Sequence, residues 1–70
     1  MPNFCVNRNA QDNGDHEVHD VSKQNWCLPA ASARVDLGWH TSCRDAVRVA
    51  KGSFSQVNGC HWCATECHTS

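Results

Sequence analysis

Two cysteines near the end of the chain have the spacing of a metal-binding pair. Cys60 and Cys63 enclose two residues, and Gly59 stands directly before them. In a C-x-x-C turn both sulfurs can bind one ion, while nearby backbone N–H groups donate to the thiolates. The same spacing also suits a redox pair. No strand-helix-strand pattern of the thioredoxin type surrounds the motif, so we expect it to bind metal.

A structural zinc ion needs four sulfur or nitrogen ligands in a tetrahedral arrangement, so two more must come from elsewhere. The chain offers six cysteines and five histidines. We predict that His19 and Cys27 complete the set, because they lie at the end of a predicted strand and in the loop after it. The predicted zinc site is therefore His19, Cys27, Cys60 and Cys63. An ion bound there would close a long loop between the two halves of the chain, and a metal cross-link stabilises a fold most when the loop that it closes is long.

The remaining cysteines and histidines leave several alternatives open. A second zinc site can be drawn from His16, Cys43, Cys67 and His68. Alternatively, Cys43 and Cys67 pair as thiols or as a disulfide, and spacing does not distinguish these cases. Cys5 is expected to be a small buried hydrophobe, since free cysteine is among the most buried residue types. His40 and His61 are expected to be surface or packing residues.

Two segments of the chain come within one residue of a known motif, one for haem attachment and one for metalloprotease catalysis, but neither matches it. Cys63, Cys67 and His68 spell C-x-x-x-C-H, which is one residue longer than the c-type haem attachment motif. His16-Glu17-Val18-His19 is one residue shorter than H-E-x-x-H, and on a strand its two histidines point to opposite faces. We therefore predict no catalytic residues, and a binding module in preference to an enzyme.

The first half of the chain predicts a β-hairpin. Phe4 and Val6 alternate with polar residues, and the turn signal Asn13-Gly14-Asp15 leads into a second candidate strand around residues 17–21. Residues 22–33 follow neither the period of a helix nor that of a strand, so we expect a loop that includes at most a short helical turn.

One helix is predicted over Cys43 to Lys51. Ser42 is a suitable N-cap, and Gly52 is expected to end the helix in a left-handed conformation. The apolar face, which faces the core, consists of Cys43, Ala46, Val47 and Ala50. Asn58 and Gly59 are read as a second tight turn, placed directly before the C-x-x-C pair.

Length and composition indicate a domain that needs a stabilising cross-link, such as a bound metal ion or a disulfide. The chain has 70 residues, and its large apolar side chains are few, with two Phe, three Trp, two Leu and neither Ile nor Tyr. Chains of this size seldom fold by burial alone. We expect the three tryptophans, Trp26, Trp39 and Trp62, to lie in the core. The predicted fold is one α+β zinc domain over residues 1–70, with a hairpin, a helix and a Cys-rich C-terminal turn.

Charge and segment composition limit the possible partners. The formal net charge of −1 disfavours bulk binding to nucleic acid. A modest basic face is possible in Arg34, Arg44, Arg48 and Lys51. We expect at most a weak nucleic-acid contact through that face, or a protein contact through exposed tryptophan. The sequence has no signal-peptide pattern and no membrane span, so we expect a cytoplasmic protein. In a reducing compartment its thiols are expected to bind metal. We also expect the chain to be a monomer.

Two rival functions use the cysteines differently. In the first, Cys43 at a helix N-terminus has a lowered pKa, and Cys67 acts as its resolving partner in thiol chemistry. In the second, the six cysteines staple a small domain through three disulfides, for which fifteen pairings are possible.

The arrangement of these motifs resembles two groups of proteins. The whole chain resembles a group of small uncharacterised bacterial Cys/His-rich proteins that share residues 13–19, NGDHEVH, and the ending with Gly59-Cys60, Cys63 and residues 67–70, CHTS. More distantly, the order of its elements and ligands is similar to the zinc domain of Ada-type DNA-repair proteins and to metal-binding modules of some bacterial nucleases. That likeness implies a hairpin and a helix around one zinc, held by His19, Cys27, Cys60 and Cys63. Ada-type sites hold four cysteines, one of which accepts a methyl group from DNA, whereas here His19 replaces a thiolate.

Overall fold

The computed structural model describes residues 3–23 and 26–68, and in this part of the chain it has an α+β fold. The four strands are β1 (Asn3–Asn7), β2 (His16–Asp20), β3 (Arg34–Trp39) and β4 (Val57–Gly59), and the helix α1 spans Cys43–Ala50. Three short 3₁₀ turns cover Val21–Lys23, Ala31–Ala33 and Thr65–Cys67. The predicted α+β class is confirmed.

The predicted hairpin forms the centre of the sheet, whose strand order is β3-β1-β2-β4. Strands β1 and β2 are antiparallel, with Val6 opposite Val18 and Cys5 opposite His19. Gly14 has a φ of 92° in the connecting turn, and its N–H donates to the carbonyl of Gln11 at 2.8 Å. A glycine accepts this backbone conformation without the steric cost that a side chain would bring.

Both edge strands differ from the sequence prediction. Residues 34–39 form β3, which pairs antiparallel with β1, although we predicted no strand there. Asn58 and Gly59 lie in β4, so the predicted tight turn is wrong. Strand β4 runs parallel to β2 with Gly59 opposite Val18, and this long-range pairing overrides the local turn preference of the Asn-Gly pair.

The helix is confirmed and ends one residue before the predicted boundary. Cys43, Ala46 and Ala50 are buried on the predicted face, and Val47 packs against the same core. Ser42 is extended directly before the helix but its side chain makes no capping hydrogen bond. The left-handed ending at Gly52 is wrong: Lys51 remains right-handed, and the N–H of Gly52 donates to the carbonyl of Val49.

The core is small and contains few large side chains. Phe4, Val6 and Val18 pack with the alanines of α1 and with buried cysteines. The prediction that the tryptophans lie in the core is wrong, since Trp26, Trp39 and Trp62 are 78%, 48% and 57% exposed. None of the helices in the described residues is long and apolar enough to cross a membrane.

Candidate metal centre

The Cys60–Cys63 turn follows directly from the last strand. The N–H of Cys60 donates to the carbonyl of Val18 at 2.9 Å, so the first cysteine is tied to β2. The N–H of Ala64 donates to the carbonyl of Cys60 and closes the turn. Both cysteines are 1% exposed and neither is in a disulfide. Their thiols are therefore fixed in a buried position.

Gly59 permits the close packing that positions this turn. A Cβ atom at residue 59 would lie 2.6 Å from the Cβ of Cys67, 2.7 Å from its carbonyl carbon and 2.8 Å from the carbonyl oxygen of Ala64. Two of these three atoms belong to the backbone, which cannot move aside cheaply. The chain after the C-x-x-C pair therefore folds back against the residue before it, and only glycine leaves room.

Backbone N–H groups donate to both sulfurs of the pair. The N–H of Asp20 lies 3.3 Å from Cys63 Sγ, and the N–H of Trp62 lies 3.4 Å from Cys60 Sγ. Such donors favour the thiolate over the thiol and orient the sulfur toward an ion. Burial opposes them at Cys63, where it raises the pKa of the thiol. In the metal-free chain this cysteine therefore carries its proton at neutral pH.

His19 lies on β2 and is the most fully buried of the histidines, with 1% of its surface exposed. Its Nδ1 atom is 3.5 Å from Cys63 Sγ. Burial and the nearby charge of Arg34 lower the pKa of His19 to about 4. The imidazole is therefore neutral at physiological pH, which is the form that binds metals.

Cys27 reaches the same place from the loop between β2 and β3. The loop is held against the sheet by Arg34, whose Nε donates to the carbonyl of Pro29 at 2.8 Å. Cys27 is half-buried and is not in a disulfide. Burial raises the pKa of its thiol; a hydrogen bond with Cys63 opposes this rise, and the neighbouring Cys60 adds to it. A fourth soft donor is thus delivered by a segment without regular secondary structure.

These residues form one cluster of four donor atoms. His19, Cys27, Cys60 and Cys63 each place one ligand atom within 4.8 Å of all the others. A tetrahedral zinc ion, with Zn–S near 2.3 Å and Zn–N near 2.0 to 2.1 Å, requires sulfur atoms about 3.8 Å apart and sulfur and nitrogen about 3.5 Å apart. The distance from His19 Nδ1 to Cys63 Sγ agrees with this requirement. The four residues therefore lie close enough together to hold a metal ion, and they are the set that the sequence predicted.

The structure does not bring the residues of the possible second site together. Cys43 and Cys67 are joined by a disulfide, one of the alternatives that the sequence left open. His16 stacks on Phe54 with ring centroids 4.1 Å apart. His68 uses Nδ1 in a 3.0 Å hydrogen bond with the carbonyl of Gly59. Within residues 3–23 and 26–68, the only group that could hold an ion is the cluster at His19.

The other single-residue predictions have mixed outcomes. Cys5 is buried as predicted, and its thiol, whose pKa burial raises, lies outside the cluster although it is opposite His19 in the hairpin. His61 is exposed, and His40 is half-buried with Nε2 2.7 Å from the carbonyl of Leu37. Both fit the predicted surface or packing role. The basic residues Arg44, Arg48 and Lys51 are exposed on or directly after α1.

Sequence analysis missed one residue beside the cluster. Glu17 Oε1 lies 3.8 Å from His19 Nε2, the ring nitrogen that faces away from Cys63. The signal was present in the sequence, because residues two apart on a strand project from the same face.

Comparison with known proteins identifies no relative of this chain. No protein-family model matches the chain, and neither the curated proteins nor the solved structures give a match. The resemblances to small bacterial Cys/His-rich proteins and to Ada-type zinc domains therefore stay predictions.

Proposed function

We propose that this chain is a structural zinc-binding module that holds one ion through His19, Cys27, Cys60 and Cys63. The single observation that carries the proposal is the convergence of these four donors from three segments of the chain. Three thiolates and one neutral imidazole in a tetrahedral arrangement are a ligand set that selects zinc over hard cations such as Mg²⁺ or Ca²⁺.

A structural role is favoured over a catalytic one because four protein ligands close the coordination sphere. A catalytic zinc ion keeps one position for water or substrate. Here His19, Cys60 and Cys63 are each 1% exposed, which leaves little access to the ion. The ion would connect β2, the loop that carries Cys27 and the turn after β4. It would thereby supply stabilisation that the small apolar core lacks.

Titration with Co²⁺ followed by displacement with Zn²⁺ tests this proposal. Under reducing conditions, Co²⁺ should develop the visible bands of a tetrahedral thiolate complex and saturate at one ion per chain, and Zn²⁺ should remove those bands. A chain with Cys60 and Cys63 changed to serine is the matched control and should give no such bands. Absence of thiolate-to-cobalt absorption in the unmodified chain would refute the proposal.

A contact with another protein is the second candidate function, and two exposed tryptophans favour it. The rings of Trp26 and Trp62 have centroids 5.3 Å apart. Each tryptophan neighbours a proposed ligand in sequence, Cys27 in one case and Cys63 in the other, so the ion would hold the pair together. Exposed aromatic pairs of this kind are typical of the energetic centres of protein interfaces.

Tryptophan fluorescence distinguishes this contact from a nucleic-acid contact. We expect single-stranded DNA, RNA and heparin to leave the fluorescence unchanged at low and at moderate salt. Binding that weakens with salt would instead favour the basic residues Arg44, Arg48 and Lys51 as the functional surface. Variants with these three residues neutralised would then lose the response, whereas Trp26→Ala would keep most of it.

The thiol-redox alternative remains testable through Cys43 and Cys67. Cys43 is only 7% exposed, which favours a structural disulfide over a nucleophilic thiol. With zinc bound, alkylation of the disulfide-reduced chain should be slow and uniform, and rapid modification of Cys43 would favour thiol chemistry.

A further inference from the structure

The two ring nitrogens of His19 face different partners. Nδ1 lies 3.5 Å from Cys63 Sγ and therefore faces the donor cluster. Nε2 lies 3.8 Å from Oε1 of Glu17. Glu17 is 18% exposed at its side chain, whereas His19 is almost completely buried. The carboxylate thus borders a buried ring at the nitrogen opposite to the one that faces Cys63 Sγ.

We infer that Glu17 is a positioning residue for the metal centre, and this inference rests on the proposed zinc-binding function. A neutral imidazole carries one N–H, so a ring that binds metal through Nδ1 must carry its proton on Nε2. Glu17 would accept a hydrogen bond from that N–H. It would thereby fix the tautomer and the ring orientation and make Nδ1 a better ligand.

The strand geometry keeps the carboxylate in place. Glu17 and His19 lie two residues apart on β2, so both project from the same face. Glu17 is also opposite Asn58 in the parallel pair with β4, the strand that leads into Cys60. The same two strands therefore carry the carboxylate, the imidazole and the start of the C-x-x-C turn. The observed 3.8 Å is longer than a direct hydrogen bond, and rotation of the partly exposed Glu17 side chain can close the difference.

Zinc affinity measured by competition with a chelator tests the inference. Glu17→Ala should weaken zinc binding about 10- to 100-fold, which is the usual effect of removing such an outer partner. Glu17→Gln should lose less, because its amide oxygen can still accept the N–H. Glu66→Gln is the matched control, since Glu66 is an exposed carboxylate outside the cluster, and it should change the affinity less than about twofold.

A double-mutant cycle with His19→Cys separates positioning from a general structural effect. A thiolate ligand at residue 19 has no N–H for Glu17 to hold, so Glu17→Ala should change zinc affinity less than about twofold in that background. An equal loss in both backgrounds would overturn the inference, as would a Glu17→Ala affinity equal to that of Glu66→Gln. Failure of the unmodified chain to bind zinc would instead refute the proposed function.

A nitrogen-15 NMR measurement covers the case in which His19→Cys does not fold. In the zinc-bound chain, long-range couplings from the ring protons should show a metal-bound Nδ1 and a protonated Nε2 at His19. The Nε2–H signal should exchange faster with water in Glu17→Ala than in the unmodified chain or in Glu66→Gln. An unchanged exchange rate would overturn the inference independently of the cycle.

Discussion

His19 Nδ1 and Cys63 Sγ lie 3.5 Å apart, although 44 positions separate the two residues in the sequence. One belongs to the second strand of the N-terminal hairpin and the other to the turn after the last strand. An ion bound between them would therefore connect the first and last parts of the fold. Loss of that ion should loosen both parts together.

Replacing a cysteine of the cluster should remove both the metal and the cooperative fold. We expect Cys60→Ser or Cys63→Ser to lose zinc and to show no sharp thermal transition, since structural zinc contributes on the order of 10 kcal/mol to folding. Zinc content and circular dichroism melting measure the two effects. The matched control is Cys5→Ala, a buried cysteine outside the cluster, which should keep its zinc and lose about 1 kcal/mol. Equal behaviour of the Cys63 and Cys5 variants would contradict this expectation.

Gly59→Ala should destabilise the zinc-bound chain and weaken its metal binding. The new Cβ would meet Cys67 and Ala64 at less than 3 Å, and we expect a loss of about 3 kcal/mol or more because backbone must shift. Gly38→Ala is the control, because its Cβ would meet nothing within 4 Å and only its φ of 81° is unfavourable. It should lose about 1 to 2 kcal/mol and retain full zinc affinity. A Gly59→Ala chain with unchanged zinc affinity would disagree with the packing described for this turn.

Removing the disulfide should lower stability without removing the metal. Cys43 and Cys67 are 24 positions apart, so the double variant to alanine should lose about 3 kcal/mol through the larger entropy of its unfolded chain. Its zinc affinity should remain within about threefold of the parent, because neither cysteine belongs to the cluster. Chemical unfolding and chelator competition measure the two quantities. Loss of zinc binding would instead assign these cysteines to a metal site.

Zinc binding should release protons and strengthen as the pH rises. Burial raises the pKa of the Cys63 and Cys27 thiols, so both hold protons at neutral pH in the metal-free chain and lose them to bind the ion. His19, with a pKa lowered to about 4, is already neutral and adds no proton. We expect at least two protons per zinc at pH 7, and about a tenfold gain in affinity per pH unit for each proton released. Calorimetry in buffers of different ionisation enthalpy counts these protons, and a value near zero would be inconsistent with thiol ligands.

Local sequence signals were sufficient for the elements that depend on neighbouring residues. The Asn13-Gly14-Asp15 turn predicted the hairpin, and the apolar spacing of Cys43, Ala46 and Ala50 predicted α1 and its buried face. The cluster was also predicted, because ligand chemistry restricts the choice to a few residue types.

The parts that were missed depend on contacts between distant segments. Strand β4 is only three residues long and is stabilised by its pairing with β2. The local sequence carries no sign of this pairing, and the Asn58-Gly59 pair on its own favours a turn, so the turn prediction was wrong. Strand β3 did carry a signal, since Val35, Leu37 and Trp39 alternate with Arg34 and Asp36. Trp26 and Trp62 are exposed because small side chains and buried cysteines fill the interior that the aromatic residues were expected to occupy.

Native mass spectrometry of the chain purified with zinc tests directly whether the four donors hold one ion. We expect one zinc ion per chain, with a single disulfide and with Cys5, Cys27, Cys60 and Cys63 unpaired. The mass should fall to that of the metal-free chain after acidification, since protons displace zinc from thiolates. A chain that carries no metal and has lost six hydrogens, as expected for three disulfides among its six cysteines, would rule out the proposed metal centre.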